Sequence, residues 1–113
     1  MPLVHLLTRG DLAARTARAA FSRNLFGCAG FTISEGDSLV PDADLVVLCG
    51  ADADCAAMLD DVAPDVTAPI VVAGRPDLLT GAAGGSRVDG FIYAGIDAVE
   101  VLSHWQDRLG VAR

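Results

Sequence analysis

Cys49 stands where an α/β protein would place a nucleophile. It closes the apolar run Leu45-Val46-Val47-Leu48-Cys49 and is followed by Gly50, and Cys55 lies in the first turn of the next expected helix. A reactive thiolate needs a helix N-terminus or a neighbouring cation to hold its charge. Here the flanking ionisable groups are Asp52 and Asp54, which push a thiol pKa upward. No arginine follows at the spacing a phosphatase uses. The third cysteine, Cys28, makes the count odd, and the spacings match no zinc knuckle. These residues read first as small buried apolar groups in a reducing compartment. A Cys49–Cys55 disulfide stays open at this level, as does a thiol enzyme built on Cys49.

The other chemistry-bearing residues are sparse. His5 falls inside an apolar run and reads as a core histidine. His104 falls on the polar side of the last expected helix. Nothing in their spacing joins them to a carboxylate as a metal site. After the first apolar run come Thr8-Arg9-Gly10-Asp11, then Arg15 and Arg18 one turn apart. A phosphate cradle needs successive backbone N–H groups, with glycines and a hydroxyl or lysine. This loop offers Thr8 and Gly10 alone, so a flavin or nucleotide site there is not expected. A phosphoacceptor site on this kind of sheet is excluded too: the third strand ends in Cys49-Gly50 rather than in an aspartate, and the chain has no lysine. Arg9, Arg15 and Arg18 are expected on a solvated helix face, with an anion or an acidic partner as the alternative.

Composition narrows the partners. All eight basic residues are arginine and the net charge is −7. Such a surface repels nucleic acid and anionic membranes, and the missing lysine removes Schiff-base chemistry. No apolar run reaches membrane-span length, and no basic flank precedes a signal-length apolar run, so a cytoplasmic location is expected. The length of 113 residues fits one domain, residues 1–113.

The elements alternate. Strands are expected at 3–7, 31–33, 45–49, 70–73 and 90–93. A helix over 11–27 carries Leu12, Ala19 or Ala20, and Phe26 on one stripe, with Thr8 and Asp11 as a capping pair and Gly27 or Gly30 as its end. Asp52 or Asp54 caps a helix that Pro64 stops. Pro76 to Leu79 make a turn, and the glycine-rich stretch 80–87 reads as a loop. Asp97 and Glu100 cap a last helix with Ala98, Val101, Leu102, Trp105 and Leu109 at helical spacing and Gly110 as its close. Alternation of this kind predicts a doubly wound, flavodoxin-like α/β fold with five parallel strands in the order 2-1-3-4-5. One crossover is too short. Only Ser34 to Asp44 separate the second and third strands, whereas a crossover usually takes a dozen or more residues and a helix. The second helix is therefore expected to be short or missing. Either Leu39 and Val40 plug the gap, or the thin face is left for a partner or a second copy of the chain.

Two segments carry a resemblance: Asn24-Leu25-Phe26-Gly27-Cys28-Ala29-Gly30-Phe31 and Val88-Asp89-Gly90-Phe91-Ile92-Tyr93-Ala94-Gly95-Ile96-Asp97-Ala98-Val99-Glu100-Val101-Leu102, with Ala73-Gly74-Arg75-Pro76 between them. With these the chain resembles the C-terminal, cobalamin-binding-like domain of the small (beta) subunit of bacterial methylmalonyl-CoA mutase. Cobalamin-binding relatives carry Asp-x-His-x-x-Gly after the first strand, the histidine replacing the lower axial ligand of cobalt. Aligned back from Gly30-Phe31, those places fall on Ala13, Arg15 and Arg18. An arginine stays charged and cannot ligate cobalt.

The resemblance thus implies a degenerate, non-catalytic domain that holds no cofactor or metal of its own. Its role would be structural, in a heterodimer with the catalytic large subunit. Adenosylcobalamin is then expected in that partner, and the complex, an isomerase, interconverts methylmalonyl-CoA and succinyl-CoA. The alternative is a small-molecule module for a nucleotide or acyl-CoA fragment in the same cleft, with Arg9, Arg15, Gly74 and Arg75 as ligand candidates. The chain is shorter than a complete small subunit.

Overall fold

The computed structural model describes residues 2–74 and 88–110. Five strands, β1 (Leu3–Thr8), β2 (Thr32–Gly36), β3 (Leu45–Cys49), β4 (Ile70–Ala73) and β5 (Gly90–Ile92), form one sheet. The order is β2-β1-β3-β4-β5 and every pairing is parallel, as the alternation predicts. The runs at β3 and β4 are apolar at every position because a parallel sheet is covered on both faces, and every residue of both strands is buried.

Successive side chains separate to two cores. On one face Val4, Leu6, Leu45, Val47, Val71 and Ile92 pack with Ala19, Phe26 and Trp105. These last three come from helices α1 (Leu12–Gly27) and α3 (Ala98–Leu109). On the other face Leu7, Val46, Leu48, Ile70 and Val72 pack with Cys55, Met58, Leu59 and Val62 of helix α2 (Asp52–Val62). Trp105 anchors α3, with Asp97 accepting from the Glu100 N–H at 3.1 Å and Gly110 left-handed at φ 76°, as its caps predict.

Several local expectations need correction. Thr8 belongs to β1, and Asp11 alone caps α1, accepting from the Ala14 N–H at 3.0 Å. Leu12 is 66% exposed and Ala20 is exposed; the inward residues of α1 are Ala19, Ser22 and Phe26. Ser22 is tolerated there because its hydroxyl donates to the Arg18 carbonyl one turn back. Gly27 is the last residue of α1, and Gly30, at φ +85°, makes the turn beyond it. β2 begins after Phe31, which instead packs edge-on to Phe26 with ring centroids 5.7 Å apart. Ala51 precedes α2 as its cap, so neither Asp52 nor Asp54 does. Pro64 sits in a short 3₁₀ turn, Ala63–Asp65, that closes α2. Ala98 is exposed, and Tyr93 lies past the end of β5. The expected turn at 76–79 and loop at 80–87 lie outside the described residues.

No helix stands between β2 and β3. Residues 37–44 run back along β1 instead. Arg9 Nε donates to the Asp37 carbonyl at 2.8 Å near the top of that strand, and His5 Nε2 donates to the Ser38 carbonyl at 2.8 Å lower down. At the bottom the Asp44 N–H donates to the Leu3 carbonyl, and the Leu3 N–H to Asp44 Oδ2, both at 2.8 Å. Leu39 and Ala43 pack onto the α2 side core, so the gap is partly plugged. A hollow of about 290 Å³ remains beside them, floored by Val46 and walled by Val40, Pro41, Val66 and Ala68.

Candidate functional site

In this strand order the ligand crevice lies beyond the carboxyl ends of β1 and β3, where the chain direction of the crossovers reverses. Two loops meet there, Arg9-Gly10-Asp11 and Gly50-Ala51. They touch directly: the Arg9 N–H donates to the Cys49 carbonyl at 3.3 Å. A Cβ on the buried Gly50 would sit 2.9 Å from Met58 Sδ and 3.0 Å from the Arg9 carbonyl oxygen. Gly10 takes φ +85°, and a Cβ there would fall 2.2 Å from Asp54 Oδ2. Asp54 turns away from its own helix to accept from the Asp11 N–H at 3.3 Å. The floor of the crevice is filled by the protein's own atoms.

Of the expected arginines, Arg9 begins at this floor but its side chain leaves it, with Nε on the Asp37 carbonyl and Nη1 in an ion pair with Asp61 in the last turn of α2. Arg18 reaches across from α1, and its Nη1 donates to the Ala73 carbonyl, at the end of β4, at 2.7 Å, with Cys55 Sγ 3.8 Å away. Arg15 goes elsewhere. It lines a hollow of about 260 Å³ with Thr8, Thr16, Glu35 and Asp37, on the β2 side of α1. Ala13 is exposed. Gly74 is buried and its N–H donates to the carbonyls of Ile92 at 2.8 Å and Val72 at 3.1 Å, leaving no free donor for an anion. Arg75 lies outside the described residues. The three described ligand candidates are not brought together: Arg9 and Gly74 have donors engaged inside the protein, and Arg15 faces a different hollow.

The cysteines are free thiols. Cys28 is exposed; Cys49 and Cys55 are buried. Burial pushes the Cys49 thiol up to about 12, against a weaker opposing hydrogen bond shared with the Ser22 hydroxyl. Asp54, expected to raise it, is not a cause, because Cys49 points into the core beneath α1 with Val47 and Phe26. A thiol held neutral in this way is a poor nucleophile.

His5 is 2% exposed with both ring nitrogens satisfied. Nε2 faces the Ser38 carbonyl, so it carries the proton, and Nδ1 lies 2.8 Å from the Ser34 hydroxyl. His104 is exposed and stacks edge-on to Trp105. No group of three or more His, Cys, Asp or Glu side chains is placed to hold a metal among the described residues.

At the two places where the resemblance would put the histidine and the glycine, Arg15 lines the hollow on the β2 side of α1 and the Arg18 guanidinium is engaged on Ala73. Asp37, Asp54 and Asp61, which hold the crevice arginine and the α1 start, were not foreseeable as a set. Asp54 and Asp61 belong to α2 and Asp37 to the segment after β2, and only spatial closure relates them to Arg9 and Asp11.

The sheet order, the all-parallel pairing and the crevice define a flavodoxin-like α/β protein. Solved structures of this fold align over almost the whole chain. A response regulator receiver protein from Pseudoalteromonas atlantica does so with TM-score 0.63 and 17% identity, covering 99% of this chain and 100% of its own. A CheY-like protein from Pseudomonas aeruginosa PAO1 does so with TM-score 0.64 and 17% identity, covering 100% and 96%. At that identity the likeness is one of fold.

Sequence comparison is more specific, and by it the chain is related to the small subunit of methylmalonyl-CoA mutase. The Porphyromonas gingivalis small subunit is 36% identical over 97% of this chain and 20% of its own length. That of Streptomyces virginiae is 34% identical over 98% and 19%. The chain thus spans about one fifth of the curated relatives it matches. No family model matches it. Among the described residues no helix is long and apolar enough to cross a membrane.

Proposed function

We propose that this chain is a non-catalytic, degenerate cobalamin-binding-like module of the mutase small-subunit type. It holds no cobalamin and serves as a structural and docking unit for the catalytic, cobalamin-bearing large subunit. One observation supports this most: at the crevice where the fold would seat a ligand, Arg18 lies on the Ala73 carbonyl and Gly50 packs against Arg9 and Met58. The relation to mutase small subunits supports this choice of partner. The outer surfaces, not the crevice, then carry the function.

Two measurements test this. Titrating the chain with cobalamin and following the corrin spectrum should give no saturable change; saturable base-off binding with a protein imidazole on cobalt overturns the reading. Co-purification with a methylmalonyl-CoA mutase large subunit should give a stoichiometric complex; its absence at micromolar concentrations overturns the docking role.

A further inference from the structure

The hollow of about 260 Å³ on the β2 side of α1 is walled by both signs of charge. Thr8 comes from β1, Leu12, Arg15 and Thr16 from the first turns of α1, and Glu35 and Asp37 from the end of β2 and the residue beyond it. All six are described residues, at the edge of the sheet opposite β5. Glu35 is paired with Arg23. Asp37 gives its backbone carbonyl to Arg9, but its carboxylate has no hydrogen bond or ion pair among the described residues. The guanidinium of the half-buried Arg15 has none either. A cation and an anion therefore line the same hollow without pairing with each other.

A half-buried guanidinium loses part of its hydration, and without an acceptor that loss is uncompensated. A bound anion would satisfy Arg15 but would face the carboxylates of Glu35 and Asp37. A bound cation would satisfy Asp37 but would face Arg15. A molecule carrying both charges satisfies both walls. Thr8 and Thr16 add hydroxyls, which donate or accept as the ligand requires, and Leu12, 66% exposed, adds an apolar contact. The volume lies below the ~300–1,000 Å³ usual for drug-sized ligands, which suits a small metabolite.

We propose that this hollow binds a small zwitterion of the α-amino-acid class, its carboxylate on the Arg15 guanidinium and its ammonium on the Asp37 carboxylate. A planar guanidinium holds a carboxylate through two parallel N–H donors, which fixes orientation as well as charge. The site is separate from the filled crevice between β1 and β3, and the inference does not rest on the docking role proposed above.

L-leucine is the probe, chosen for its apolar contact with Leu12, and the backbone amide resonances of the isotope-labelled chain are the readout. Titration into the millimolar range should shift the amides of Arg15, Thr16 and Asp37 saturably and leave those of α3 unmoved. N-acetyl-L-leucine lacks the cation and L-leucine methyl ester lacks the anion. Each should bind at least tenfold more weakly, the loss of one charge-assisted contact. Arg15→Gln and Asp37→Asn should each weaken L-leucine at least tenfold, while Asp60→Asn, on the exposed side of α2, should not. Urea unfolding of each variant checks that the fold is kept, and the two derivatives test the charges on the unaltered chain. No saturable shift overturns the proposal, as does equal binding of either derivative. Tighter binding of inorganic phosphate than of L-leucine overturns it too, because the hollow would then be an anion site.

Discussion

The carboxyl ends of β1 and β3 and the outer edge at β5 are both concave positions on the same sheet, and they are built in opposite ways. At the first, two glycines let backbone and side chains close to contact, and Arg18 reaches in and is held by the Ala73 carbonyl. At the second, aromatic and acidic side chains line a hollow of about 440 Å³. A polar group without a partner is costly when buried and tolerable at a rim. The closed crevice has satisfied its polar groups internally, whereas the edge leaves the Glu100 carboxylate exposed to solvent.

Breaking the closed region should cost most. Arg18→Gly removes a charge-assisted hydrogen bond to Ala73 and places glycine inside α1. The two together should lower stability by about 2–4 kcal/mol, measured by urea unfolding, and should not create cobalamin binding. Gly50→Ala forces a methyl group against Met58 and the Arg9 carbonyl, for a loss of about 1–3 kcal/mol. A variant as stable as wild type would show that the crevice has slack.

Loosening the edge should cost less. Asp97→Ala removes the α3 cap, for a loss of about 1 kcal/mol. Glu100→Gln should change stability by less than about 0.5 kcal/mol, measured by urea unfolding.

Alkaline pH distinguishes them as well. The Cys49 thiol is raised from about 9 to about 12 in the folded chain. The unfolded chain therefore releases this proton first, and the stability it contributes is present below pH 9 and is lost as pH rises from 9 toward 12. The thermal midpoint of the wild-type chain should fall more steeply over that window than that of Cys49→Ala. At neutral pH, mild alkylation of the folded chain should label Cys28 and leave Cys49 and Cys55 untouched.

Local pattern made much of the fold legible. The apolar runs at β3 and β4, the caps of α3 and the short crossover after β2 each follow from near neighbours, and together they predict the strand order and the missing helix. Long-range geometry escaped. Arg18 bonds a carbonyl 55 positions away, and Asp54 serves the start of α1 rather than α2. Nothing in the spacing of Leu12 showed that α1 would turn it outward. Cys49 is buried, as its place in an apolar run suggests, and burial is the main cause of its raised thiol. The hollow at the β5 edge was invisible because its walls come from β5 and α3, and neither segment is unusual alone.

The strap over β1 has a consequence for what this chain tolerates. Its eight residues, 37–44, can span at most about 27 Å. Descending the length of a five-residue strand while stepping sideways by two strands already takes about 19 Å. The slack is the reach of about two residues, and the segment is pinned from beneath at Arg9, His5 and Leu3. Length changes here are consequently one-sided. Each doubling of a flexible loop adds only about 0.6 kcal/mol, so added residues can bulge outward at small cost. Removing two or three would pull β2 and β3 out of register with β1. Growth at this point, as far as a whole crossover helix, is open to such a chain, and contraction is not.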